Sequence, residues 1–140
     1  YIFGNVKSSV PPRLDQTFLN SLRVEYCIPE TDIELIGDQT YILEAGFERL
    51  NGVSFKKGCF VGQEVTARMK HKTILKKGLV KVQIIGDPGK VGSRIEFQGK
   101  ALGNVYTVSE GYALAFLRSN APKTDLVCGE VSLRVVEKFY

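Results

Sequence analysis

The sequence predicts an α+β chain, helical in its first part and completed by a small antiparallel β-barrel or sandwich. Three observations carry that reading. An apolar stripe at helical period follows Asp15, a second helix-compatible segment follows Gln63, and after Thr73 short β-compatible runs alternate with turn residues. A boundary near residues 73–77 divides the chain into 1–75 and 76–140.

Val10-Pro11-Pro12 cannot continue a helix and opens the first regular element. Phe18, Leu19, Leu22 and Tyr26 then recur at helical spacing. With Asp15 as N-cap and Pro29 as a stop, they predict a helix over about 16–26. Residues 30–44 show no single period, and Gly37-Asp38 marks a turn inside them. Ala45 to Leu50 suits a short helical turn, and Val53 with Phe55 a short extended segment. Lys57-Gly58-Cys59-Phe60-Val61-Gly62 reads as a tight turn with a glycine near each end. From Gln63 a helix is predicted, with Val65 and Met69 on one side. Leu79 to Ile85 reads as a strand, ended by Gly86-Asp87-Pro88-Gly89. Further strands are predicted at 93–98, 101–108, 112–118 and 131–137, with turns at Gly99, Glu110-Gly111, Asn120 with Pro122, and Gly129. Strands at this spacing form small barrels or sandwiches. There is no internal repeat, heptad or low-complexity tract.

A chain of 140 residues, 44% hydrophobic and 24% charged, has globular composition and enough length to bury a core. No apolar run approaches the roughly 20 residues of a membrane-spanning helix, so no membrane partner is expected. No signal peptide is visible, and a first residue of Tyr rather than Met suggests a processed or truncated chain. Cys27, Cys59 and Cys128 lie far apart without a C-x-x-C pair, which argues against a disulfide framework or a cysteine zinc site. Reduced thiols in a cytoplasmic compartment are the default expectation, with an organelle left open. No metal site is expected within one chain.

The net charge of +4 is unevenly distributed. Between residues 56 and 77 stand Lys56, Lys57, Arg68, Lys70, Lys72, Lys76 and Lys77, opposed only by Glu64, so the excess is local. Such a window suits an anionic partner, and equally a solvated basic face.

Cys59 sits at the centre of that window's most unusual stretch. A thiol acts as nucleophile or ligand only as thiolate, which nearby cations and a helix N-terminus both stabilise. Lys56 and Lys57 precede Cys59, and a predicted helix follows. Gly58 and Gly62 permit positive φ and close approach of another group to the backbone. The opposing reading is a buried, inert cysteine in a glycine-rich turn. Spacing alone leaves both open.

Lys57-Gly58-Cys59-Phe60-Val61-Gly62-Gln63-Glu64 matches the K-G-C-[FY]-x-G-Q-E signature of the YgfZ family at every fixed position, and Val65 and Arg68 continue the resemblance. Upstream, Leu22-Arg23-Val24-Glu25 looks like the family's L-R-x-E helix, followed by Ile28-Pro29. Downstream, the β-rich segment resembles the C-terminal barrel that the family shares with the glycine-cleavage T-protein. The resemblance covers about residues 15–118. There are two departures. Cys27 stands where the family usually has Gly, and most of the long segment that precedes the L-R-x-E helix in the family is absent.

The resemblance implies a fold in which residues 1–75 are the C-terminal portion of a T-protein-like folate-binding domain and residues 76–140 a small antiparallel β-barrel. It implies a tetrahydrofolate-binding protein that supports assembly or repair of iron–sulfur enzymes, with iron–sulfur proteins or assembly factors as partners. Carried over by position, Cys59 is the functional thiol, and Lys57, Gly58, Gly62, Gln63 and Glu64 shape its loop. By analogy with the T-protein, Glu25 is the candidate for the pterin's N–H edge, since a carboxylate accepts two parallel N–H bonds. Arg68 is the candidate for the folate glutamate tail or a phosphate. For Glu25 and Arg68 the alternatives are ordinary surface ion pairs.

Two other functions compete with this one. An aminomethyltransferase of T-protein type needs a positioned acid that the sequence does not display. A nucleic-acid or tRNA-binding module would use the 56–77 cations, though Tyr26, Tyr41, Tyr106 and Tyr112 lack the spacing of RNA-binding aromatics and suit core or barrel packing. His71, the single histidine, lies between Lys70 and Lys72 and reads as a solvated surface residue; a Cys59–His71 dyad is the alternative.

Overall fold

The computed structural model describes residues 15–58, 60–72, 74–87 and 89–138. Helix α1 (Gln16–Tyr26) and helix α2 (Glu64–Lys72) are followed by six strands: β1 (Lys77–Ile84), β2 (Arg94–Phe97), β3 (Lys100–Ser109), β4 (Tyr112–Arg118), β5 (Leu126–Cys128) and β6 (Val131–Lys138). The strands form a closed antiparallel barrel in the order β1-β4-β3-β2-β5-β6, which settles the choice between barrel and sandwich. Two hairpin turns, Gln98-Gly99 and Glu110-Gly111, have all four residues at positive φ, as the twist of flanking strands requires of a two-residue turn. β2 meets β5 through the single pair Glu96 and Val127. Strand β5 was not expected from the sequence, because three residues are too few to show an alternating pattern.

Inward-facing side chains fill the barrel, among them Val80, Val82, Ile95, Val105, Leu117, Leu126 and Leu133. β4 is buried along Ala113–Leu117, on both faces. Ala113, Ala115 and Leu117 point into the barrel, while Leu114 and Phe116 point outward into a second core. That second core joins them to Leu79 of β1, Val24 of α1, Cys27 at the C-cap of α1, and Ala45. Burying a leucine such as Leu114 contributes about 1.5–3 kcal/mol, so this outer core fixes residues 24–47 against the barrel.

α1 begins where the sequence places it. The Asp15 carboxylate accepts the Thr17 amide at 3.4 Å. The helix does not bury the expected stripe, however. Val24 is its buried residue, whereas Phe18 and Tyr26 are 50% and 55% exposed. Tyr41 is exposed as well, so of the four tyrosines assigned to packing only Tyr106 and Tyr112 pack against the core. Cys27 ends α1 in the left-handed conformation at φ 51°, with its amide bonded to Arg23 O. The chain therefore keeps a glycine-like turn with a residue that carries Cβ, a conformation that costs roughly 1–2 kcal/mol. Arg49 offsets part of that cost by donating to Tyr26 O at 2.6 Å and Cys27 O at 3.0 Å, neutralising carbonyls at the negative end of the helix.

Residues 42–51 form consecutive turns, with Leu50 N donating to Gly46 O. Val53 and Phe55 lie outside any strand, because no neighbouring chain offers them a ladder. Among the side chains described on α2 none is fully buried, and Val65 on its expected apolar side is exposed. It is tied down by Lys70, whose Nζ bonds both Glu48 oxygens at 2.7 Å and stands 5.5 Å from the Phe55 ring.

Candidate functional site

The residues flanking Cys59 are described, and Cys59 itself lies outside the described residues. Gly58 and Gly62 adopt φ of +83° and +88°, and neither has an atom within 4 Å of where a Cβ would stand. Both turns therefore require glycine for backbone conformation and not for space. Gly62 N donates to Glu64 Oε2 at 3.0 Å, and Phe60 N to Gln63 Oε1 at 3.3 Å. The G-Q-E end of the motif thus holds its own loop amides. Glu64 also stands in the first turn of α2, where a negative charge is favourable.

The loop is displayed, not packed. Val61 is 98% and Phe60 68% exposed, and Lys57 Nζ sits 5.9 Å from the Phe60 ring. Gly58 and Gln63 line a cleft of about 390 Å³ with Phe55, Thr66, Ala67 and His71. His71 is exposed but packs edge-on against Phe55 at 6.2 Å, so it shares a cleft with the motif as well as facing solvent. Arg68 is exposed on α2 and lies outside that cleft.

Glu25 is elsewhere. It lines a separate cleft of about 280 Å³ with Ser21, Val24, Lys81, Glu110 and Tyr112, on the seat of α1 against the barrel. No described residue lines both clefts. Neither cleft alone presents Glu25 together with the motif residues to one tetrahydrofolate.

Two carboxylates passed over in the sequence are better placed. Glu34 is fully buried. Its Oε2 accepts Arg23 Nη2 at 2.5 Å and Glu30 N at 3.0 Å, and its Oε1 accepts the Thr107 hydroxyl at 2.5 Å and amide at 3.2 Å. One carboxylate therefore ties α1 to β3. The only hint in the sequence is Glu30 and Glu34 following Arg23. Glu44 is also buried, and its Oε2 has no hydrogen-bond partner among the described residues; Lys77 Nζ stands 3.7 Å away.

Burial raises the Glu44 carboxyl above the ordinary range, with Lys77 opposing. A raised pKa means the folded chain holds that proton better than the unfolded chain. The contribution is then fully present below the ordinary carboxylate pKa and is lost as pH rises through the folded value. Glu44→Gln is therefore expected to raise the melting temperature at neutral pH and leave it unchanged near the acid limit, as followed by circular dichroism at both. The two described thiols are shielded. Burial pushes Cys27 up to about 12 and also raises Cys128, so neither is a thiolate at neutral pH.

The family model described as the CAF17 C-terminal beta-barrel domain matches residues 76–138, the span of the barrel seen here. Outside the barrel, similarity to curated proteins extends through the motif. The chain is 34% identical over 111 residues to the mitochondrial iron–sulfur cluster assembly factor IBA57 of Mus musculus, covering 74% of this chain and 31% of that protein. It is 29% identical over 110 residues to the tRNA-modifying protein YgfZ of Aliivibrio fischeri, covering 72% of this chain and 34% of that one. The barrel is thus of the CAF17 C-terminal type, and the chain as a whole is similar to the YgfZ and IBA57 proteins. A third relative, the mitochondrial IBA57 homolog of Neurospora crassa, is 42% identical over 53 residues, 38% of this chain and 12% of that protein. The chain spans about a third of the length of the mouse and Aliivibrio relatives. Among the described residues, no helix is long and apolar enough to cross a membrane, and no group of three or more metal-ligating side chains occurs.

Proposed function

We propose that this chain serves iron–sulfur cluster assembly through Cys59, which transiently holds iron, a cluster or a thiol adduct as its cargo. The observation that carries the proposal is the exposed loop bounded by Gly58 and Gly62, braced by Gln63 and Glu64 and followed by the N-terminus of α2. Lys56, Lys57 and the helix end favour a thiolate at that position, and thiolates are soft ligands for iron. One thiol leaves most coordination positions of a cluster open, so a partner protein or second copy completes it. The names of the IBA57 relatives, iron–sulfur assembly factors of mitochondria, support this reading and favour an organelle over the cytoplasm.

The test replaces Cys59 with alanine in cells that depend on this protein. Activities of mitochondrial iron–sulfur enzymes are expected to fall at least about tenfold, to the level of cells lacking the protein. Activity equal to wild type overturns the thiol role.

Residues 1–75, on this proposal, are the final part of a T-protein-like domain, and tetrahydrofolate binds with Glu25 at the pterin edge while other chain segments or a partner supply the remainder. The two separate clefts of this chain are the reason for requiring that remainder. The name of the YgfZ relative favours a second reading, in which the motif acts on or near tRNA. Lys56, Lys57 and Arg68 are its phosphate contacts, and steep salt sensitivity of RNA binding is its signature.

A further inference from the structure

The window of positive charge read from the sequence ends at Lys77, but the fold continues it on the barrel. A cleft of about 380 Å³ opens between the turn at residues 36–40 and the wall made by β2, β3 and β4. Three cations line it: Lys77 from the start of β1, Arg94 from the start of β2 and Arg118 from the end of β4. They are separated by 17 to 24 residues in sequence, so no linear run reveals them. No carboxylate lines this cleft. Gln39, Asn104 and Tyr106 supply the neutral polar lining.

Cations gathered in one cleft repel one another and raise the local positive potential, which Glu44 Oε2, outside the lining and 3.7 Å from Lys77 Nζ, offsets only in part. Arg94 and Arg118 make no ion pair or hydrogen bond through their guanidinium groups among the described residues. Lys77 is held in place, its Nζ donating to Gln39 O at 3.2 Å and lying 5.7 Å from the Phe116 ring. The facing turn is fixed too. The Thr40 hydroxyl accepts Ile36 N and donates to Glu34 O, and Glu34 is bonded to Thr107 of β3. Both walls are thus set before any ligand arrives, which lowers the ordering cost of binding. A second cleft shares Lys77 and Arg118 and adds Glu44, Lys76, Ser119 and Asn120, so the cations continue to the end of β4 with one buried carboxylate among them.

We infer that this cleft between the 36–40 turn and the barrel wall binds a phosphate-bearing ligand, clamped by Arg94 and Arg118 with Lys77 as a fixed point charge. Planar guanidinium groups match phosphate oxygens two at a time, while an ammonium adds charge without direction. With Glu44 set against Lys77, the three cations still carry about two net positive charges, which suit the two or more charges of a phosphate ester or diphosphate. The site lies on the barrel and its facing turn, and it does not depend on the thiol reading.

Calorimetric titration of the 140-residue chain with inorganic pyrophosphate at physiological salt tests it. Saturable binding to one site is expected, weakened at least about tenfold by Arg94→Ala and by Arg118→Ala, and unchanged by Arg134→Ala, an exposed arginine of β6 outside the cleft. Thermal melts of each variant confirm that the barrel persists. A short single-stranded RNA that displaces pyrophosphate assigns the phosphate to nucleic acid, and one that does not assigns it to a small molecule. Absence of saturable pyrophosphate binding, or equal weakening by Arg134→Ala, overturns the site.

Discussion

Glu34→Ala is expected to destabilise the chain by about 3–5 kcal/mol, the cost of breaking a buried ion pair from one side. For a chain of this size that corresponds to a fall in melting temperature on the order of 10 °C. The substitution leaves Arg23, whose side chain is 12% exposed, with the half-exposed Glu30 at 2.6 Å as its one remaining carboxylate among the described residues, beside Asn20 Oδ1 and Ile28 O at 3.3 Å. It also strands the buried Thr107 hydroxyl and amide on β3, both of which donate to Glu34 Oε1. Thr107→Val, which removes one donor and leaves the Arg23–Glu34 pair, is expected to cost only about 1–3 kcal/mol. Urea denaturation of both variants measures the difference. Near-equal losses would show that Glu34 is held by the barrel alone and that the link to α1 contributes little.

Gly103→Ala is expected to be comparably damaging for a different reason. A Cβ at Gly103 would stand 1.9 Å from Phe116 O and 2.9 Å from Leu117 Cδ2. The first of these is backbone of the neighbouring strand β4 and cannot rotate away. Gly103 also lies beside the irregularity where β3 carries an extra residue against β2, since Ile95 faces Gly103 and Glu96 faces Ala101. Bulges of this kind bend a strand and tighten its twist, and here a bare backbone lets β4 pass close behind. Overpacking of this severity lies at or above the usual 1–3 kcal/mol range. The expected result is a soluble but poorly folded chain, or a barrel with β3 displaced from β4, seen as lost amide protection on both strands. A melting temperature within a few degrees of wild type would contradict this account.

The barrel was legible because its strands announce themselves twice, by alternating apolar residues and by turn residues between them. β4 was legible even though both its faces are buried, because Tyr112-Ala113-Leu114-Ala115-Phe116-Leu117 is bounded by Glu110-Gly111 and Asn120. α1 was placed at about 16–26 by Asp15 and Pro29, in agreement with Gln16–Tyr26, yet its buried face was misjudged. The stripe of Phe18, Leu19, Leu22 and Tyr26 describes a regular helix, whereas tertiary contact selects Val24 and the Cys27 cap. Residues 30–44 were unreadable because their order comes from irregular turn hydrogen bonds and from the long-range bonds of Glu34, and not from any local period. The Gly58–Gly62 loop was legible in conformation. The phosphate-binding cleft was not, since Lys77, Arg94 and Arg118 meet only through strand pairing.

One consequence follows from the way the ring of strands is joined. Five of its six joints are ladders of three or more residue pairs, but β2 and β5 are stitched by Glu96 and Val127 alone. The cylinder therefore has a seam. Thermal opening begins where the fewest bonds must break, so this line is where the hoop parts while the other ladders hold. Once parted, β2 and β5 become two free edges, each offering unpaired amides and carbonyls to another strand. The same three-residue brevity that hid β5 from the sequence makes it the clasp of the barrel.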